Sequence, residues 1–263
     1  MTATSERATS RLSSVTTAVR LLKMFSEGEA EIGVTSLSRR LGVAKSTVYR
    51  LASTLVAEGM LEQNPETEKY RLGIALFALG ALVRQRMDLS NEGRPYIFDL
   101  REATNETVHL AVLDQSEIMY VYDLESTQAI RMRANLGARR PALCTAEGRA
   151  ILAFHPPEVV EPLLREGFRP RTPKTETEPD VLRARLAEVR ALGYAREDEQ
   201  SELGMRSIAA PVRDSSGLVV GAVGMAGPLQ RLSNETLARY APLVVETANV
   251  ISIRLGYKAR AAY

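Results

Sequence analysis

Residues 42–61, with the sequence GVAKSTVYRLASTLVAEGML, carry the clearest structural pattern of the chain. They contain an apolar stripe at the spacing of one helix face, formed by Val48, Leu51, Leu55 and Val56. Gly59 follows the stripe, and glycine is the residue that most often comes directly after a helix. We therefore predict a helix from Ala44 to Glu58, preceded by the short glycine-containing turn LGVA at 41–44.

Two shorter helices are predicted before this one, and a hairpin after it. The first helix begins at residues 13–14, and the second is capped by Thr35 and ends at Gly42. Residues 60–63 and 69–72 are predicted strands, joined by the turn sequence NPET. Three helices and a hairpin in this order indicate a winged helix-turn-helix domain.

The third helix is predicted to contact DNA. Between Ile32 and Ala57 there is no acidic residue, whereas basic and hydroxyl side chains are frequent. These side chains donate hydrogen bonds to phosphates and base edges, and the start of a helix attracts phosphate. The candidate DNA-binding residues are Thr35, Arg39, Lys45, Ser46, Thr47, Tyr49, Arg50 and Thr54, with Lys69 and Arg71 on the wing. The alternatives are a solvated helix face and, for the two wing residues, ordinary strand-edge charges.

Residues 72–89 are predicted to form a linker helix that is apolar on nearly every side. Such a helix has to bury its surface, either in its own chain or against a second subunit. Because the segment joins two domains, we favour a second subunit and therefore a homodimer. Two recognition helices one DNA turn apart would then read a pseudo-palindromic operator.

From Ser90 onward, strands alternate with helices. A helix that begins at Ser90 is followed by predicted strands at 107–113, 118–124, 128–135, 194–199, 207–213 and 218–226. Helices are predicted at 145–154, 158–166, 180–192 and 233–255. This pattern is typical of an α+β domain. The predicted organisation is a disordered lead-in at 1–12, the winged helix-turn-helix domain at 13–72, the linker helix at 73–89 and the second domain at 90–263.

Composition argues against several other classes of protein. Of 263 residues, 45% are hydrophobic and 25% are charged, with a net charge of +2, so the chain can bury a core and is not uniformly basic. One cysteine and two histidines do not favour a disulfide or a structural zinc site, and we expect no metal and no cofactor. No signal peptide is evident, and the longest apolar stretch is too short to span a membrane. We expect a soluble, cytoplasmic, nucleoid-associated protein.

Between residues 14 and 256 the chain resembles the IclR family of transcriptional regulators. The resemblance rests on the order and spacing of several motifs: residues 42–61, YRLG at 70–73, ETVHLAVLD at 106–114, TAEGRAILA at 145–153 and EDEQSELGMRSIAAPV at 197–212. It implies a winged-helix domain, a C-terminal effector-binding domain of GAF/PAS-like fold, and homodimers that often pair into homotetramers. It also implies a repressor or activator that controls a nearby catabolic operon.

The same resemblance assigns effector binding to Met132, Thr145, Ala146, Glu147, Glu197, Met205, Ser207, Gly224 and Ala226. Many members have cysteine where this chain has Ser207, and serines where it has Gly224 and Ala226, which predicts a roomier, less polar wall. Glu147 and Glu197 would repel an anion unless helix N–H groups offset them. The expected effector is an organic acid, aromatic or amide-like metabolite.

Each of these pocket assignments has an alternative. Glu147 fits equally well as an acid that complements a helix dipole, and Glu197 as a solvated strand charge. Met132 and Met205 fit as ordinary core residues.

Two other classes of protein are alternatives to a ligand-responsive regulator. An enzyme would pair Cys144 with His109 or His155, but neither histidine is flanked by a catalytic motif, and the sequence has no phosphate-binding loop. An architectural DNA-binding protein would not need a large second domain. We therefore predict no catalytic residues, with operator DNA and a small molecule as the binding partners.

Overall fold

The computed structural model describes residues 13–26, 29–85, 88–133 and 136–258. The chain divides into two compact units, with the boundary between residues 86 and 87. The predicted lead-in at 1–12 lies outside the described residues. In the part of the chain that the structure describes, no helix is long and apolar enough to cross a membrane.

The first unit consists of helices with a two-stranded wing. Its first three helices and two strands are α1 (Ser13–Leu22), α2 (Val34–Leu41), α3 (Lys45–Ala57), β1 (Leu61–Gln63) and β2 (Tyr70–Leu72). The strands pair antiparallel, and Ile32 forms an additional bridge to Tyr70. These elements share one buried cluster, made of Leu21, Ile32, Leu37, Val48, Ala52, Leu61 and Tyr70. The predicted winged helix-turn-helix arrangement is confirmed.

Gly42 forms the tight turn between α2 and α3. Its φ of 69° is left-handed, a conformation that glycine adopts without steric cost, and its N–H donates to the carbonyl of Ser38. The Ser38 hydroxyl donates to the carbonyl of Val43 at 2.6 Å, which closes the turn a second time. At the other end of α2, the capping position is taken by Gly33, not by Thr35 as predicted. Thr35 instead lies exposed in the first helical turn.

The predicted linker segment contains parts of two described helices. α4 spans Ile74–Gln85 and belongs to the first unit, whereas α5 begins at Asp88 in the second unit. The exposed large apolar side chains of α4 are Ile74, Phe77, Leu79 and Leu82. Exposed apolar side chains of this size are typical of a surface that another surface covers.

The second unit contains a six-stranded antiparallel sheet. Its strands are β3 (Thr107–Asp114), β4 (Glu117–Leu124), β5 (Arg139–Pro141), β6 (Ala195–Asp198), β7 (Met205–Arg213) and β8 (Val219–Pro228), in the order β5-β4-β3-β8-β7-β6. Its helices are α5 (Asp88–Thr104), α6 (Ala146–Leu152), α7 (Pro157–Glu166), α8 (Pro179–Leu192) and α9 (Asn234–Arg254). The predicted α+β class is confirmed.

Helices cover both faces of this sheet. α5 and α9 pack on one face, around a core that includes Ile97, Leu110 and Ile251. α6 packs on the opposite face, around a core that includes Ala150 and Ala209. β8 is buried along nearly its whole length because both faces are covered, as its uninterrupted apolar sequence predicted.

Two predicted elements of the second unit are wrong. Of the strand predicted at 128–135, residues 128–133 form no strand, and residues 134–135 lie outside the described residues. A side chain holds this segment instead of a strand ladder: Thr107 Oγ1 donates to the carbonyl of Met132 at 2.8 Å. α5 begins at Asp88, and Ser90 lies buried inside its first turn instead of capping it. The sheet instead gains β5, whose short sequence RRP carries no alternating pattern.

Candidate nucleic-acid interface and effector site

All ten predicted DNA-binding residues are exposed in the structure. On α3, Val48 and Ala52 face the core of the first unit, so the opposite side of the helix is exposed. Tyr49 is the largest side chain on that side, with 58% of its surface accessible. The exposed side therefore combines cations, hydroxyls and an aromatic ring on one helix, which is the composition that DNA recognition requires.

The arginines around α3 fall into two groups. Arg40 is bound to Glu29 at 2.7 Å, and Arg71 on the wing is bound to Glu62 at 2.9 Å. Within the described residues, neither Arg39 nor Arg50 forms an ion pair. The unpaired arginines are ready for phosphate or base contacts, whereas Arg71 would first have to leave its carboxylate.

The start of α3 is also open to a phosphate. Ala44 occupies the capping position and offers no side-chain hydrogen bond, so the first N–H groups of the helix lack a side-chain acceptor. Lys45 and Ser46 follow immediately and are exposed. Helix dipole, free N–H groups and a lysine charge thus coincide at one end of α3.

In the second unit, α6 begins at the predicted effector site. Thr145 caps the helix, and its hydroxyl accepts a hydrogen bond from the N–H of Gly148 at 3.1 Å. Gly148 lies so close to the carbonyl of Ala142 that a Cβ atom there would overlap it. α6 is therefore fixed tightly to the preceding turn, and all seven of its residues are buried.

The strand register places several predicted effector residues in one row across the sheet. The row begins at Thr107 on β3 and continues through its partner Ala226 on β8. It then crosses Ser207 on β7 and ends at Glu197 on β6. The next row on the same face contains His109 and Gly224. Met132 joins the first row through its carbonyl, which accepts from Thr107. Met205 lies farther out, opposite Pro228, and both methionines are only half-buried.

Glu197 is buried rather than solvated, so the strand-charge alternative is wrong. Its carboxylate accepts N–H bonds from Gln200 and Ser201, and the Ser207 hydroxyl donates to it at 3.0 Å. Burial raises the pKa of Glu197, and these hydrogen bonds to the charged form oppose that rise. Because the Ser207 hydroxyl donates to Glu197, its lone pairs remain as acceptors for another group.

Glu147 and His109 form a second buried pair on this face. Glu147 Oε1 lies 3.8 Å from His109 Nε2, and each residue is about 98% buried, with accessible fractions of 2%. Burial raises the pKa of Glu147 to about 7 and lowers the pKa of His109 to about 4. His109 was predicted only as a partner of Cys144. Its alternation with Val108 and Leu110 on β3 places it on the opposite face of the sheet, and it is buried there because helices cover both faces.

The predicted roomier wall at Gly224 is wrong. A Cβ atom built on Gly224 would overlap the carboxylate of Glu147, which fills the space that a side chain would take. Far from being less polar, this part of the wall is lined by a carboxyl group. Gly224 is required here because Glu147 lies directly over the strand.

Arg149 is a buried cation that the sequence did not indicate as part of the site. It donates to Gln200 Oε1 at 3.1 Å and to the carbonyl of Arg196 at 2.6 Å, and the carboxylate of Glu176 lies 3.8 Å away. A pocket of about 200 Å³ opens beside this network, lined in part by Arg149, Arg196, Glu197 and Gln200. Arg149 thus fixes the loop that supplies two N–H groups to Glu197.

Cys144 lacks the properties of a catalytic nucleophile. It is buried, and burial raises the pKa of its thiol to about 11, so the thiolate is scarce at neutral pH. His155 is engaged with the carbonyl of Ile151 at 3.1 Å. Across the described ranges, no group of three or more His, Cys, Asp or Glu side chains has the arrangement of a metal site.

One chain thus combines a winged-helix unit of the DNA-binding type with an α+β unit that contains a buried polar site. This combination is typical of ligand-responsive DNA-binding proteins. Residues 14–65 match the IclR helix-turn-helix domain, and residues 81–253 match the C-terminal domain of the bacterial transcriptional regulator IclR. The chain belongs to the IclR family and is a ligand-responsive, DNA-binding transcriptional regulator.

Similar proteins agree over nearly the full length. The HTH-type transcriptional regulator KdgR of Escherichia coli is 37% identical over 248 residues, which are 94% of each chain. The crystal structure of an IclR transcriptional regulator from Alicyclobacillus acidocaldarius is similar with a TM-score of 0.83, at 26% identity, and covers 94% of this chain and 100% of that one. An IclR homologue from Microbacterium hydrocarbonoxydans complexed with 4-hydroxybenzoate has a TM-score of 0.81 at 28% identity, covering 92% of this chain and 99% of that one.

Proposed function

We propose that Lys45, Thr47, Tyr49 and Arg50 contact operator DNA, with Ser46 and Thr54 supporting them. The observation that carries this proposal is the exposed side of α3, where Arg50 has no carboxylate partner within the described residues and the helix start has no side-chain cap. Thr35, Arg39, Lys69 and Arg71 are proposed as flanking contacts. Phosphate contacts supply affinity, and base-edge contacts supply specificity.

The test is a mobility shift with the DNA upstream of the chain's own gene. Arg50→Ala should weaken specific binding by ~1–3 kcal/mol if the guanidinium reads a base. Arg165→Ala, in the second unit, removes the same charge from an exposed arginine and should leave binding unchanged. Undiminished binding by both Arg50→Ala and Lys45→Ala would assign recognition to another surface.

We further propose that the second unit binds a small effector at the buried polar face and thereby changes operator affinity. Support comes from the convergence of Glu147, Glu197 and Ser207 on one face of the sheet, and from the 4-hydroxybenzoate complex of the relative. The signal is proposed to pass through the segment 73–89, and the effector to be an organic acid, aromatic or amide-like metabolite. Control of a nearby catabolic operon is the proposed biological role.

The chain is proposed to act without catalysis, at chromosomal DNA in the cytoplasm. Its relatives are transcriptional regulators, and the buried, protonated Cys144 offers no nucleophile. A homodimer, with homotetramers formed from pairs, is the proposed assembly. Incubation of the chain with any effector that changes operator binding, followed by mass spectrometry of the effector, should return it chemically unchanged.

A further inference from the structure

Two buried polar atoms of the second unit point at each other without touching. His109 Nε2, on β3, and Glu147 Oε1, on α6, lie 3.8 Å apart, beyond the range of a hydrogen bond. In the part of the chain that the structure describes, neither atom has a hydrogen-bond partner. Leaving such groups unsatisfied costs stability, so a pair of them on one face of a binding domain is a candidate for ligand recognition.

The absence of a side chain at Gly224 provides the space for this pair. Glu147 lies over Gly224, where a side chain would collide with its carboxylate. Gly224 is the direct register partner of His109, so the pair occupies the row next to that of Ser207 and Ala226. The polar group at this point of the wall therefore comes from the helix above the sheet rather than from the strand.

A single oxygen atom can satisfy both groups. An oxygen about 2.8 Å from each atom would bridge a gap of this size with ordinary hydrogen-bond distances. A hydroxyl group has one hydrogen to donate and two lone pairs that accept, so it satisfies both atoms whenever at least one of them donates: His109 as its Nε2–H tautomer, or Glu147 in its protonated form.

The surrounding charges disfavour a carboxylate at the same point. Glu197, on β6, adds negative charge, and Arg149 is already engaged with Gln200, the carbonyl of Arg196 and the nearby Glu176. The other ionisable groups near the pair include Tyr120 and Asp123 on β4 and Cys144, and Arg140 lies near Tyr120. Among the described residues, Arg149 is the cation whose charge acts on Glu147, and because its hydrogen bonds are already made it does not neutralise a second carboxylate here.

We propose that His109 and Glu147 together recognise an uncharged hydroxyl group of the effector, which bridges Nε2 and Oε1. This inference rests on the proposed role of the second unit as the effector-binding unit. It specifies the effector as a small molecule with a hydroxyl on a carbon chain or ring. Any charged group of that molecule is held elsewhere than at this pair.

The unaltered chain provides a direct readout because it has only two histidines, His109 and His155. Full-length protein labelled with ¹³C and ¹⁵N in histidine is titrated with three matched pairs of probes: lactate and propionate, malate and succinate, and 4-hydroxybenzoate and benzoate. At least one hydroxylated member should shift the His109 ring signals and bind at least tenfold more tightly than its counterpart. The His155 signals should stay unchanged and serve as the internal control.

Two variants then test the pair itself. Glu147→Met removes the two carboxylate oxygens, His109→Phe removes the two ring nitrogens, and each keeps a side chain of similar size. In either variant the preference for the hydroxylated member should fall to about one, whereas the matched control Glu158→Met, an exposed position on α7, should keep it. A change in preference, rather than in overall affinity, separates recognition from a general loss of packing.

Three results would overturn the assignment: no hydroxylated probe shifts His109, each deoxy member binds as tightly as its partner, or the preference survives both variants. In each case operator binding, measured on the same samples, reports separately on the proposed function. Intact operator binding that responds to a probe, with His109 unaffected, rejects the hydroxyl site and keeps the regulator. If the unaltered chain does not bind the operator DNA at all, the proposed control of operator binding by an effector is rejected.

Discussion

At the scale of single residues, burial shifts the pKa values of Glu147 and His109 in opposite directions. Burial raises the pKa of Glu147 from 4.5 to about 7 and lowers that of His109 from 6.5 to about 4. Glu147 binds its proton more tightly in the folded state, so its contribution to the free energy of unfolding falls as pH rises from about 4.5 to about 7. His109 releases its proton more readily in the folded state, so its contribution to the free energy of unfolding rises with pH between about 4 and 6.5. The two effects offset each other between about 4.5 and 6.5.

Single substitutions should reveal each half of this balance. In Glu147→Gln the contribution of the pair to the free energy of unfolding should rise by up to ~3 kcal/mol between pH 4 and 6.5, because His109 is then the one member of the pair that titrates. In His109→Gln it should fall over pH 4.5 to 7 by a similar amount. Urea unfolding at a series of pH values measures both slopes, and His155→Gln controls for loss of a histidine. Parallel profiles for the two variants would show that the pair does not titrate as described.

Gly224 and Glu147 should be energetically coupled because they compete for one space. Gly224→Ala places a methyl group where the Glu147 carboxylate lies, and overpacking of this kind costs ~1–3 kcal/mol. In a Glu147→Ala background the same substitution should cost much less, since the carboxylate is gone. A double-mutant cycle by urea unfolding gives the coupling directly. Additive effects would mean that the carboxylate moves aside without cost.

At the scale of elements, the cap of α6 contributes stability next to the candidate effector site. Thr145→Ala removes the acceptor of the Gly148 N–H, a bond inside a fully buried helix, and should destabilise the second unit by ~1 kcal/mol. Thr145→Ser keeps the hydroxyl oxygen and should lose only part of that stability. Thermal or urea unfolding measures both. Equal stability of Ala and Ser variants would indicate that another group satisfies the N–H.

Elements set by local chemistry could be predicted from the sequence. The stripe at Val48 and the left-handed turn at Gly42 act within a few residues, so α3 and the preceding turn follow directly from residues 42–61. The cap of α2 was misplaced because Gly33 and Thr35 both suit a helix start, and packing decides between them. The segment 128–133 was misread because its hydrogen bonds go to Thr107 and other distant groups, which no local pattern reveals.

The candidate site divides in the same way. The family resemblance assigned Glu197, Ser207 and Ala226 to the site, and the strand register does bring them into one row. The approach of Glu147 to His109 could not be predicted, because it depends on how α6 packs on β3 and β8. The prediction of a roomier wall is wrong for the same reason. A small residue at one strand position does not show which neighbouring side chain fills the space beside it.

At the scale of the whole molecule, α4 predicts association. Ile74, Phe77 and Leu82 are between 57% and 73% exposed in a single chain, which is costly for side chains of this size. One recognition helix covers too few base pairs to select one site in a genome, whereas two helices reading half-sites ~34–36 Å apart can do so. Both arguments predict a dimer in which the two first units are held together.

Phe77→Glu should therefore weaken association and operator binding together. A buried glutamate without a partner opposes the contact, and separate subunits lose the advantage of binding the second half-site as an intramolecular step. Light scattering at micromolar concentration should show the parent as a dimer or larger and the variant shifted toward monomer, with operator affinity reduced at least tenfold. Leu218→Glu makes the same kind of change at a side chain that is 67% exposed in the second unit, and should alter neither property. A parent chain that is monomeric at this concentration and still binds its operator tightly would contradict the dimer, and with it the symmetric operator that the dimer implies.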